Sequence, residues 1–211
     1  MKDANTYVAI MAGGIGSRFW PSSRTNRPKQ FLDIMGTGES LIQTTFNRFR
    51  KLVDADRIFI VTNGIYKDLV KSQLPELTDN QIICEPSRNN TAPCVALTAL
   101  KIHALNADAN LIIAPSDHLI LKEDVFVDKI KTAVDFAANN DALLTLGIQP
   151  SRPDTGYGYI NYMREEDSDI KKVNRFTEKP NAEVAQSFLD SGDYVWNAGI
   201  FIWSTRSIIE A

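Results

Sequence analysis

Apolar and polar positions alternate along the chain between two kinds of segment. Short, nearly continuous apolar runs at 7–12, 57–62, 81–84 and 110–114 read as strands, the last of a kind buried on both faces. Between them apolar residues recur at helical spacing. Ser40 opens one such stretch with Gln43 three residues on, a capping-box pattern, and Leu41, Thr45, Phe49 and Leu52 follow. Residues 66–73 read as a second helix. A third begins at Asn90 or Thr91, with Pro93 in its first turn, and runs to Leu105. A helix over about 123–138 and a strand over 142–147 close this part.

Strands alternating with helices predict an α/β fold, a Rossmann-like three-layer sandwich with a mostly parallel sheet. Ligands of such sheets sit beyond the carboxyl ends of the strands. The loops after the first, third and fourth strands therefore converge on one edge. From Pro150 the texture changes to turn-rich sequence with alternating strands at 159–164 and 170–177, a helix at 183–189 and a strand at 195–204. The expected organisation is one domain over 1–211, with residues 1–149 as one half and 150–211 as a β-rich lobe laid on it. The last residues look like a helix opening without a C-terminal cap, so the chain is expected to be truncated at its C-terminus.

At 211 residues a sizeable core is possible, and a net charge of -3 argues against nucleic acid or an anionic membrane as the main partner. No apolar run is long enough for a bilayer, the first residues lack the apolar core of a signal peptide, and Cys84 and Cys94 form no disulfide framework. The expected location is a reducing cytoplasm, with Cys94 a buried thiol. The oligomeric state is open, a homodimer among the options.

Against that mild acidity, residues 11–31 stand out: MAGGIGSRFWPSSRTNRPKQF holds Gly13, Gly14, Gly16, Arg18, Arg24, Arg27 and Lys29, and no acidic residue lies between Asp3 and Asp33. Glycines let backbone N–H groups approach a ligand, and cations add attraction, so the loop suits a polyphosphate. It is neither a dinucleotide fingerprint, since Phe19 stands where a third glycine belongs, nor a P-loop, since no Gly-Lys-Ser/Thr follows. A bare strand-to-helix turn is the plainer account of Gly13-Gly14, but it leaves the cations unexplained.

The run GGIGSRFWPSSRTNRPKQF resembles the signature of nucleoside-diphosphate-sugar pyrophosphorylases, in detail their mannose-1-phosphate guanylyltransferase branch. The resemblance extends in order through Glu85-Pro86 with 88–93, 114–118, 155–160, 176–180 and 196–201. It implies a GT-A-like nucleotidyltransferase fold and transfer of GMP from GTP to mannose 1-phosphate, with Mg²⁺ as the cofactor. GDP-mannose for glycan synthesis and pyrophosphate would be the products. The nucleotide would lie on Ala12, Gly13, Gly14, Gly16 and Ser17, with Arg18 and Lys29 neutralising the phosphates. Guanine would meet Glu85, Arg88, Asn89, Asn90 and Thr91. The family has one asparagine before this threonine and the chain has two, so either Asn89 or Asn90 takes the base-contacting place.

Asp117 would hold the metal at the end of the fourth strand, or else cap the turn after Pro115. His118 is read as a neighbour, since Mg²⁺ prefers oxygen. In the lobe, Lys179 would hold the sugar phosphate and Glu178 the sugar hydroxyls, where a bare Glu-Lys pair is more often a surface couple. Gly156, Tyr157 and Asn197 would line the sugar, with Asp154 a weaker candidate and Tyr157 and Trp196 equally readable as core aromatics. Relatives supply a second metal-binding aspartate from a later segment, so this chain is expected to bind nucleotide and turn over poorly or not at all. The alternatives are another nucleotide or sugar 1-phosphate, glucose 1-phosphate among them, or a non-catalytic sugar-nucleotide sensor.

Overall fold

The computed structural model describes residues 4–86, 91–164 and 168–211, with Arg18 described by its backbone alone. Two compact units emerge: Met1–Leu143 together with Ile202–Ala211, and Leu144–Phe201.

In the first unit, β1 (Thr6–Met11), β2 (Ile58–Asn63), β3 (Ile82–Glu85) and β4 (Asn110–Pro115) lie in the order β3-β2-β1-β4. All three pairings are parallel, with Val8 opposite both Ile58 and Ile112. Val8, Ala9, Ile10, Ile58, Ile60, Leu111, Ile112 and Ile113 are fully buried, as expected for strands covered on both faces. The connecting helices are α1 (Leu41–Phe49), α2 (Lys67–Gln73), α3 (Thr91–Leu105) and α4 (Glu123–Asn139). At the start of α1 the Ser40 N–H donates to Gln43 Oε1 at 2.9 Å, one half of a capping box. Phe49 of α1 meets Phe126 of α4 edge-on at 5.8 Å. The returning C-terminal segment forms α6 (Thr205–Glu210), where the Thr205 N–H donates to Ala109 O at 2.9 Å and its hydroxyl lies 3.0 Å from His103 Nδ1.

The second unit holds β5 (Leu144–Ile148), β6 (Tyr159–Tyr162), β7 (Val173–Thr177), α5 (Ala182–Ser191) and β8 (Tyr194–Ser204), the last three residues of which belong to the first unit. β6 runs antiparallel to both β7 and β8, and β5 pairs with β8. The strand expected from residue 170 starts only at Val173. Asn181 caps α5 through Oδ1, accepting from the Val184 N–H at 2.9 Å, and Gly192 ends it at φ +69°. A small core forms around Tyr159, Ala185 and Trp196, backed by Phe188 and Tyr194. Among the described residues no helix is long and apolar enough to cross a membrane.

Candidate active site

Beyond β1 the chain enters the glycine loop, and buried side chains take hold of its carbonyls. The Ala12 N–H donates to Val61 O at 2.7 Å. The Ala12 carbonyl accepts from Thr62 Oγ1 at 2.9 Å and from Gln30 Nε2 at 2.8 Å. The same Gln30 amide reaches Gly14 O at 2.8 Å, and Ser23 Oγ donates to Ile15 O at 2.9 Å. These bonds tie up three of the loop's carbonyls, the groups that would repel an anion. Gln30 and Ser23 fall within the signature run at 13–31 but carry no assigned role there, and Thr62 lies outside every motif. A lone polar residue carries no pattern, and its role here rests on burial and on partners as far as 50 residues away.

Gly16 sits at φ +62°, and a Cβ there would stand 2.8 Å from Lys29 Cγ and 3.0 Å from Ser23 Oγ. Glycine is therefore required both by the left-handed backbone and by the passage of the lysine stem. Past it, the Lys29 ammonium forms an ion pair with Asp117 Oδ2, the two side chains being 26% and 21% exposed. Lys29 Nζ also lies 5.4 Å from the centre of the Phe19 ring. Two residues far apart in sequence are thus brought together at the carboxyl ends of β1 and β4.

Glu85, at the end of β3, approaches the same loop: a Cβ on Gly13 would stand 3.3 Å from its Oε2. Partial burial raises the Glu85 carboxyl above its ordinary value. Burial, with the Glu85 charge adding to it, pushes the Cys94 thiol up to about 12, so that cysteine is inert. Thr91 begins α3 and is exposed. Arg88, Asn89 and Asn90 lie outside the described residues, as does the Arg18 side chain. Gly14 and Ser17 are exposed. Arg24 and Arg27 pair with each other through their backbones, and Arg24 Nε is engaged by Pro21 O at 2.8 Å.

Asp117 sits on a turn tied to β1 by the Ser116 N–H, which donates to Met11 O at 3.1 Å. Burial pulls the neighbouring His118 imidazole below its ordinary value, partly opposed by the Asp117 charge. Among the described residues no group of three or more His, Cys, Asp and Glu stands together to hold a metal. A single hard carboxylate fits a magnesium-like ion that takes its other ligands from water and phosphates, and does not fit a resident ion caged by protein.

In the second unit, Asn197 Oδ1 accepts from Thr145 Oγ1 at 2.9 Å and from the Gly199 N–H at 3.0 Å, while the Asn197 N–H donates to Gly158 O at 2.8 Å. Asp154 pairs with Arg152 and accepts from the Gly156 N–H at 2.8 Å. Trp196 is core, Tyr157 is exposed, and their rings lie 4.9 Å apart. The Trp196 indole N–H is buried without a protein acceptor among the described residues. Lys179 adopts φ +41°, a strained value for a residue with a side chain, and its ammonium lies 2.8 Å from Glu178. Gly158 admits that glutamate, since a Cβ there would stand 2.8 Å from Glu178 Oε2.

A parallel sheet with a glycine-paved, lysine-bearing loop set against one carboxylate defines a phosphate-handling α/β protein. The chain belongs to the nucleotidyl transferase family, whose model matches residues 7–210. It is 44% identical over 209 residues to the mannose-1-phosphate guanylyltransferase of Salmonella montevideo, covering 95% of this chain and 43% of that protein. It is 39% identical over 219 residues to the mannose-1-phosphate guanylyltransferase of Escherichia coli K12, covering all of this chain and 45% of that protein. The chain thus spans less than half the length of these curated relatives. Among solved structures, one described as mannose-1-phosphate geranyltransferase from Thermus thermophilus superposes with a TM-score of 0.88 at 30% identity, over 98% of this chain and 59% of that one. A mannose-6-phosphate isomerase from Helicobacter pylori superposes at 0.79 with 29% identity, over 98% and 73%. A CTP-bound CMP:2-keto-3-deoxy-manno-octonic acid synthetase, 15% identical at TM-score 0.65 over 98% and 77%, shares the fold.

Proposed function

We propose that this chain carries the nucleotidyl-transfer machinery of a mannose-1-phosphate guanylyltransferase, converting GTP and mannose 1-phosphate into GDP-mannose and pyrophosphate. The carrying observation is the Lys29–Asp117 pair, a cation from the loop after β1 and a metal-competent carboxylate from the turn after the adjacent parallel strand β4. The relatives' names supply the nucleotide and the sugar.

The chemistry needs little from protein acids or bases. A phosphate monoester has its second pKa at about 6, so the sugar phosphate is already the nucleophile near neutrality. Its oxygen attacks the α-phosphorus of GTP, the bond to the bridging oxygen breaks, and pyrophosphate leaves with the electron pair. Catalysis is alignment and charge neutralisation. The loop N–H groups, Lys29 and Arg18 meet the phosphates, and Glu85 with residues 88–91 reads guanine. Asp117 holds Mg²⁺, which supplies positive charge to the phosphate oxygens when bound. In the second unit Lys179 takes the sugar phosphate, while Glu178, Asn197, Gly156 and Tyr157 receive mannose.

The test is Mg²⁺-dependent formation of GDP-mannose and pyrophosphate, comparing GTP with UTP, dTTP and ATP. Product from GTP, lost in Asp117→Ala and Lys179→Ala, supports the proposal. Preference for another nucleotide overturns the guanylyl assignment. Nucleotide binding without product, both from this chain and from one extended to the curated relatives' length, turns the reading toward a sensor.

A further inference from the structure

Helix α1 presents two buried donors, three residues apart, to the turn that carries Asp117. Thr45 Oγ1 donates to Ser116 O at 3.2 Å, and Arg48 Nη2 donates to His118 O at 3.3 Å. The carbonyls on either side of Asp117 are therefore both held by one helix. Thr45 is 1% exposed and Arg48 2%. A guanidinium so buried is costly unless it is paired. Here its Nε donates to Glu123 Oε1 at 3.1 Å, and Lys51 Nζ reaches the other oxygen of that carboxylate at 2.8 Å. Glu123 opens α4, so α1, α4 and the turn after β4 are joined through one buried charge.

Satisfying Glu123 does not require the second hydrogen bond of Arg48. An arginine has five N–H donors in a rigid fork, and this one directs a spare arm to a peptide carbonyl next to the carboxylate. Thr45 does the same on the other side, although a helix-interior threonine is free to bond its own helix instead. Opposite, the Ser116 N–H is taken by Met11 O. Three hydrogen bonds thus pin the peptide planes 115–116, 116–117 and 118–119, bracketing Asp117 in the turn. Among the described residues Asp117 stands without a second clustered carboxylate, so the aim of its side chain depends on the backbone that carries it.

We propose that Thr45 and Arg48 are positioning residues for Asp117, holding its carboxylate where a metal-bound nucleotide triphosphate meets it. The inference rests on Asp117 as the metal-binding group. The test is GTP affinity by calorimetry on the 211-residue chain, with and without Mn²⁺, for wild type, Thr45→Val, Asp117→Asn and the double variant. Arg48→Lys, which keeps the charge beside Glu123, is a second probe, and thermal unfolding verifies that each variant is folded.

Thr45→Val is expected to reduce the Mn²⁺-dependent gain in GTP affinity about tenfold, with metal-free binding unchanged. In the Asp117→Asn background it should change nothing beyond about twofold. Arg48→Lys should follow the same pattern. Equal losses in both backgrounds, or no loss from either substitution, overturn the inference while leaving the metal reading intact. If Asp117→Asn itself keeps the full Mn²⁺ gain, the metal reading fails, and the positioning inference falls with it.

Discussion

Gln30 offers the sharpest test of how the glycine loop is held. The side chain is 2% exposed, and its amide nitrogen lies 2.8 Å from both Ala12 O and Gly14 O. Gln30→Met removes both donated bonds at nearly constant volume. The Ala12 carbonyl keeps Thr62 Oγ1 as a partner, and Gly14 is exposed, so water can replace its lost donor. Neither carbonyl is left orphaned. The cost is then close to the net worth of two neutral hydrogen bonds, about 2 kcal/mol. Gln30→Glu is sterically milder but sets a carboxylate against two carbonyl oxygens with no donor to offer. An uncompensated buried charge raises the cost to about 4 kcal/mol. Urea denaturation at neutral pH measures both, and GTP titration of the folded variants reports whether the loop still presents its N–H groups. The order is the critical result. If the two variants agree within about 0.5 kcal/mol, or if either binds GTP like wild type, the loop is not held by this amide.

Gly16→Ala should destabilise by about 1–2 kcal/mol through its left-handed backbone, and the displaced Lys29 stem should weaken nucleotide binding further, read by the same titration. Arg48→Met leaves Glu123 half-paired and should cost about 3 kcal/mol, seen in urea denaturation. Glu85 has a folded-state pKa above its ordinary 4.5, so its contribution to stability is fully present below about that pH and is lost as pH rises through the folded value. Glu85→Gln should therefore flatten this part of the stability–pH curve, and a curve unchanged by the substitution would contradict the assignment. For the thiols, native protein should react with a disulfide reagent rapidly at exposed Cys84 and not at Cys94, which becomes reactive only in denaturant.

Much of the first unit was legible in sequence because its signals are local. Apolar runs such as Leu111–Ile113 declare strands buried on both faces, and Ser40 with Gln43 marks where α1 opens. Alternation of strand and helix implies parallel pairing, which in turn directs the loops after β1, β3 and β4 to one edge. The expectation that residues 11–31 meet a polyphosphate follows from glycines and cations within a single stretch. Lys29 and Asp117 were both candidates on these grounds, and the structure joins them in one ion pair.

What remained hidden depends on which distant atoms meet. The ion pair between Lys29 and Asp117 exists because β1 and β4 lie in register, Met11 opposite Pro115, and because Gly16 leaves room for the lysine stem. Thr45 and Arg48 are ordinary polar residues, and Gln30 a motif member without a role, until burial makes each donor choose a carbonyl far along the chain. Likewise, Trp196 is interior, in one cluster with Tyr159 and Ala185, while Tyr157, whose ring lies tilted beside it, is exposed. Periodicity records which face of an element is apolar, and the sequence by itself determined that much together with the charge of the loop. Partner choice for buried polar groups, and the return of residues 202–211 to the first unit, were decided only by the tertiary structure, where a desolvated donor or acceptor must find its complement in three dimensions.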